Sequence, residues 1–146
     1  MRRDLLVLSG LLLVGAVARG LYLSEIVDAP DFRQPAVDAH THDYWARGLA
    51  TGDWSLPADL EDPRIPDTPF FRPPGYPYFL ALVYRLTGGS YLAPRIVQML
   101  LGLLSAALAF LIGQRWFGRA AGLVAGGGMA LYWAFIYFEG ELHAPS

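Results

Sequence analysis

The chain has 146 residues, 54% of them hydrophobic and 16% charged, with no cysteine, whereas an average soluble domain is roughly 45–50% apolar and about 25% charged. The formal charge of -2 excludes a strongly basic nucleic-acid domain, the missing cysteine excludes a disulfide scaffold and a thiolate zinc site, and the apolar content excludes disorder. All eleven basic residues are arginine and ten of the thirteen acids lie between Glu25 and Asp67, so the small net charge conceals a very uneven distribution.

The first apolar stretch, Leu5–Leu23, is broken only by Arg19. About 20 such residues at roughly 1.5 Å each cross the hydrocarbon of a bilayer, so residues 1–23 are expected to form a first transmembrane helix. Arg2-Arg3, the apolar run and Ala16-Val17-Ala18 also fit a cleaved signal peptide. The continuation through Leu21–Leu23 and the two later spans favour a retained helix.

Residues 24–72 hold ten acids and four arginines and read as an external loop. Within it, Asp43–Thr51 reads as a short amphipathic helix, with Tyr44, Leu49 and Ala50 to one side and Arg47 to another, ended by Gly52. Residues 73–90 follow, where Pro73, Pro74 and Pro77 precede an apolar patch, Tyr76–Val83, that is too short to span and suits an interfacial helix. A second span is expected over 91–113, a turn over 114–119, a third span over 120–138, and the start of a second external loop over 139–146. Gly126–Gly128, inside the third span, suit close helix packing.

Arg2 and Arg3 before the first span, and Arg115 and Arg119 in the later turn, place both segments on the cytoplasmic side. The expectation is an all-α, multi-pass protein of the cell (inner) membrane with three transmembrane helices, a cytoplasmic N terminus and a long extracytoplasmic loop carrying short amphipathic and interfacial helices.

A loop of that length is costly to order unless it has a function. Three sets of residues in or near it carry chemistry. Asp38-Ala39-His40-Thr41-His42 looks like the Asp-x-His-x-His of metal-dependent amidohydrolases, but it lacks the buried strand and barrel that this motif needs. Solvated histidines near a helix start are the plainer reading. A carboxylate at the rim of a membrane cavity, Asp38 first among them, can serve as a general base on an acceptor hydroxyl or amine. Arg19, Arg72 and Arg95, at or near the outer face, would suit a lipid phosphate if they converge, although each alone is expected to snorkel.

The order of these features resembles the N-terminal part of membrane glycosyltransferases of the GT-C fold, most closely the glycosyltransferase family 39 type of protein mannosyltransferases and aminoarabinose transferases. The resemblance runs through Arg19, Asp38, Asp43-Tyr44-Trp45-Ala46-Arg47, Leu49-Ala50-Thr51-Gly52-Asp53-Trp54, and Phe70-Phe71-Arg72-Pro73-Pro74-Gly75-Tyr76-Pro77. It continues through Arg95-Ile96-Val97-Gln98, Arg115-Trp116-Phe117-Gly118-Arg119 and Phe138-Glu139-Gly140-Glu141-Leu142.

It implies transfer of a sugar from a polyprenyl-phosphate donor to a lipid, glycan or protein acceptor, within membrane lipid and without nucleic acid. It further implies Asp38 as catalytic base or metal-linked carboxylate and Glu141 or Glu139 as a second acid. Arg72, Arg95 and Arg19 are then the candidates to hold the donor phosphate. A divalent cation is left open as cofactor, because Ala39 stands where some members carry an acid, and His42 stands where an aromatic is usual. Family members have many more helices, so the chain reads as an N-terminal fragment with an incomplete GT-C fold that is not active alone. The reading of another class is a stand-alone three-span membrane protein with a binding or assembly role. A metal-dependent hydrolase using His40 and His42 is the remoter alternative.

Overall fold

The computed structural model describes residues 2–36, 38–55 and 73–142, and these are helical with no strand among the described residues. In chain order the helices are α1 (Arg2–Ile26), α2 (Pro30–Arg33), α3 (Asp38–Thr51), α4 (Gly75–Thr87), α5 (Leu92–Phe117), α6 (Arg119–Leu131) and α7 (Trp133–Gly140). They form two compact units, residues 1–29 with 95–141 and residues 30–94 with 142–146.

The first unit carries the apolar stretches. Two helices are long and apolar enough to cross a membrane, Arg3–Ile26 and Leu92–Phe117. The third apolar stretch, expected as one helix over 120–138, is a pair: α6 and α7 meet at a 41° bend and together pass as one broken span. At the bend Tyr132 leaves helical geometry (φ -66°, ψ 118°) while its N–H still donates to the Gly128 carbonyl at 2.9 Å. Its carbonyl then accepts from the Phe135 N–H at 3.1 Å, which starts α7.

The turn after α5 is tighter than its composition suggests. The helix runs on through Gln114, Arg115 and Trp116 to Phe117, and Gly118 alone reverses the chain at φ 89°, a backbone conformation open to glycine at little cost. At this end Arg119 pairs with Asp4 at 3.6 Å, so the start of α1 and the α5–α6 turn lie at the same end of the unit. Small residues let α5 and α6 approach closely. A Cβ on Gly122 would meet the Phe110 carbonyl at 2.7 Å, and one on Gly126 the Phe110 Cβ at 2.7 Å. Of the glycines expected to pack, Gly126 does so against α5, Gly127 stands in ordinary contact distance of Leu11 and Gly128 faces open space; Gly122, four residues before Gly126, shares its contact with Phe110.

The second unit is built on α3 packed along α4. Ala39 and Ala46 from α3 and Leu80, Ala81 and Tyr84 from α4 form its buried centre, joined by Leu142. Ala39 and Ala46 stand seven residues apart and Leu80 and Tyr84 four, spacings of two helical turns and one, so each helix gives one apolar stripe. Pro77 sits in the first turn of α4, where its missing N–H costs no helical hydrogen bond. Gly88, left-handed at φ 69°, closes α4 by returning its N–H to the Tyr84 carbonyl.

Replacing Gly126 by leucine should force α5 and α6 apart, at about 1–3 kcal/mol for overpacking a tight contact. Thermal unfolding in detergent would show the lower midpoint, and Gly128→Leu, in open space, should leave it unchanged.

Candidate functional site

Helix α3 starts five residues earlier than the amphipathic pattern suggests, at Asp38 rather than Asp43, and this start decides the fate of the Asp-x-His-x-His sequence. Successive residues of a helix turn by about 100°, so positions i and i+2 face nearly opposite ways whereas i and i+4 share a side. His42 is accordingly buried at 2% exposure, its ring edge-on to Tyr76 at 5.2 Å, while His40 borders a cavity. Neither is a solvated loop side chain. Among the described residues no three histidine or acidic side chains gather so that they could hold a metal ion. Asp38 opens α3, where an acid complements the positive end of the helix dipole.

One turn on, Asp43 is the hub of a polar network in the second unit. Its carboxylate accepts from the Tyr84 hydroxyl at 2.7 Å, the Tyr91 hydroxyl at 3.1 Å and Arg47 Nε at 2.9 Å. The Arg47 guanidinium lies over the Tyr91 ring at 4.5 Å and the Tyr84 ring at 5.0 Å, a cation–π contact on each. Burial alone would lower the Arg47 pKa, but the hydrogen bond and charge of Asp43 outweigh it and raise it. Burial, and then the Asp43 charge, push the Tyr84 and Tyr91 hydroxyls up, Tyr84 far beyond the ordinary range.

The Gly-Asp-Trp sequence that follows α3 folds back on the helix. Gly52 takes φ 79°, the Asp53 side chain accepts from the Ser55 N–H at 2.9 Å, and the Tyr44 hydroxyl donates to the Trp54 carbonyl at 3.0 Å. The hydrogen bonds from Ser55 lower the Asp53 pKa. The Trp54 ring occupies the space that a Cβ on Gly48 would need. Tyr44, Asp53 and Ser55, with Asp43 and Arg47 of the network and Arg33, Gln34, Pro35, His40 and Tyr91, border a cavity of about 550 Å³.

In the first unit Arg19 reaches both the bend and Glu139. Arg19, 2% exposed, pairs twice with Glu139: Nε to Oε2 at 2.6 Å and Nη2 to Oε1 at 2.8 Å. Its Nη1 donates to the Ala130 carbonyl at 2.7 Å and the Gly15 carbonyl at 3.2 Å. The Glu139 carboxylate lies where a Cβ on Gly102 would be. Arg95, also buried, donates from Nε to the Gly140 carbonyl at 2.7 Å, and Gln98 donates to the Glu141 carbonyl at 3.0 Å.

The structure therefore brings Arg19 and Glu139 together, sets Arg95 at the end of α7, and holds Glu141 one residue beyond it by the backbone. Asp38 belongs to the other unit, and Arg72 lies outside the described residues. The Asp43 hub was missed at the sequence level; the i, i+4 spacing of Asp43 and Arg47 was its one visible trace, because Tyr84 and Tyr91 come from distant segments.

Long apolar helices, a broken span whose backbone is closed by buried arginines, and a polar helical loop unit define an integral membrane protein of all-α class. Residues 71–142 match the family model of dolichyl-phosphate-mannose-protein mannosyltransferase, so the glycosyltransferase family 39 resemblance read from the sequence holds for that stretch. Comparison with curated proteins and with solved structures gives no match.

Two measurements probe these networks. Glu139→Gln leaves the Arg19 charge buried without its counter-ion, at a cost of roughly 3–5 kcal/mol; the variant should melt markedly lower in detergent, and Glu139→Ala should not be milder. For Tyr84 and Tyr91 the folded-state pKa lies above the ordinary value of 10.0, so the stabilisation is complete below that value and is lost as pH rises through the folded pKa. Stability should thus be flat through neutral and mildly alkaline pH and fall above about 10. Ultraviolet titration of tyrosinate should show late-ionising groups, one fewer in Tyr84→Phe.

Proposed function

We propose that the protein transfers a sugar from a polyprenyl-phosphate donor to an acceptor at the extracytoplasmic face of the cell membrane, with its N terminus in the cytoplasm. The observation that carries this reading is the family match over residues 71–142. Arginine asymmetry supports the orientation, since Arg2, Arg3, Arg115 and Arg119 flank the end of the unit where Asp4 meets Arg119.

In this reading Asp38 is the general base. It takes the proton of the acceptor hydroxyl or amine, whose lone pair attacks the anomeric carbon. The bond from that carbon to the phosphate oxygen breaks, and polyprenyl phosphate leaves with the bonding pair. Glu141 is favoured over Glu139 as the second acid, because both Glu139 oxygens are engaged by Arg19. Arg19 is likewise withdrawn from phosphate binding, since each of its guanidinium nitrogens already donates to Glu139 or to a carbonyl. Arg95, buried like Arg19 and donating to the Gly140 carbonyl, is withdrawn on the same ground, and Arg72 is the proposed phosphate ligand, with bidentate guanidinium–phosphate bonding as the chemistry.

The test is sugar transfer from a radiolabelled polyprenyl-phosphate sugar by membranes that carry the protein in full-length form. Asp38→Asn should lower turnover by about 10²–10⁴-fold, the usual contribution of a general base, at unchanged abundance in the membrane. Turnover close to that of the unaltered protein would remove Asp38 from the mechanism.

A further inference from the structure

The cavity beside α3 is not used by any step above, yet its walls are built as a binding site. Its volume of about 550 Å³ falls within the roughly 300–1,000 Å³ of small-molecule sites. Its charges balance, with Arg33 and Arg47 against Asp43 and Asp53, which disfavours a polyanion. The lining combines hydrogen-bond donors and acceptors with aromatic rings: the guanidiniums and Gln34 donate, the carboxylates accept, and Tyr44 and Tyr91 add ring surface. A pyranose has the same requirements, offering vicinal hydroxyls to planar carboxylate or guanidinium groups and a C–H face to an aromatic ring.

The lining is also held in place before any ligand arrives. Arg47 is fixed by Asp43 and by two tyrosine rings, Asp43 by two tyrosine hydroxyls, Tyr44 by the Trp54 carbonyl and Asp53 by the Ser55 N–H. Groups so fixed lose little entropy when they bind. Arg33 and Gln34 are exposed at the edge, where a ligand would enter.

We propose that this cavity binds a neutral saccharide and that the acceptor of the transfer reaction is a glycan. The assignment of the saccharide as acceptor rests on the transferase reading; the binding site itself does not.

The experiment is saturation-transfer NMR on the full chain in detergent with a panel of neutral hexose di- and trisaccharides, alongside inorganic phosphate and an unglycosylated Ser/Thr peptide. Consumption of polyprenyl-phosphate sugar is followed in parallel. At least one saccharide should bind and should speed donor consumption. Arg33→Ala, which removes a charged donor, and Gln34→Trp, which fills the cavity from its exposed rim, should each weaken saccharide binding by about tenfold or more.

Donor consumption without any saccharide binding would overturn the inference and leave the transferase reading standing. So would saccharide binding that is indifferent to Gln34→Trp, or a variant-sensitive signal given only by phosphate or only by the peptide. Variant-sensitive saccharide binding with no donor consumption would uphold the site and overturn the transferase reading.

Discussion

A guanidinium enclosed among apolar helices is the constraint on which the first unit turns. Removing an arginine from water costs several kcal/mol unless a counter-charge and enough acceptors surround it. Arg19 obtains both, from Glu139 and from the carbonyls of Gly15 and Ala130. Each partner has its own requirement. The carboxylate needs a place against α5, which Gly102 provides by having no side chain. The Ala130 carbonyl is available because the break at Tyr132 interrupts the ladder in which it would otherwise pair. The bend, the glycine and the ion pair are thus one arrangement: irregular backbone inside an apolar span is tolerated where protein groups satisfy its carbonyls. Arg95 and Gln98 extend the same arrangement to the end of α7 by taking the carbonyls of Gly140 and Glu141.

The second unit answers a similar problem with different chemistry. Asp43 is buried at 6% exposure and is satisfied by three donors, only one of them charged. Two tyrosines therefore do what a second arginine would do elsewhere, and their rings also cover the guanidinium that serves the same carboxylate. The result is a rigid wall that combines donors, acceptors and ring surface. A network in which every member is satisfied fixes one geometry, which is the property that a binding surface needs.

How much of this was legible in the sequence depends on how far each signal reaches along the chain. The apolar spans and the glycine that ends α3 are local, and the spans over 1–23 and 91–113 and the stop at Gly52 are legible directly. The break at Tyr132 has no proline and no glycine at the site, and the group that satisfies its Ala130 carbonyl is Arg19, more than a hundred residues away in the chain. The same distance hid the commitment of Arg19, which on its own looks like any snorkelling arginine. The histidines failed differently. Asp38, His40 and His42 suggest a ligand set only if the backbone is extended, where alternate residues share a face. Two α-turns later the apolar alanines at positions 46 and 50 show the helical period, and carrying that period back to residue 38 would have parted the two imidazoles.

The match to the mannosyltransferase family model begins at residue 71, after α3 with Asp38, Asp43 and Arg47, while Tyr84 and Tyr91 of the Asp43 network lie inside it. Within the matched stretch, the polar side chains set among apolar helices, Arg95, Gln98 and Glu139, bond to main-chain carbonyls or to Arg19. Their interactions are those that keep a broken span intact, and a shared fold follows from them more directly than a shared substrate does. Most of the residues that border the cavity, among them His40, Arg33, Gln34 and Arg47, lie instead before the match, with Tyr91 inside it. The groups that border the cavity and the groups that hold the backbone of the broken span are different side chains, so either set can change without disturbing the other.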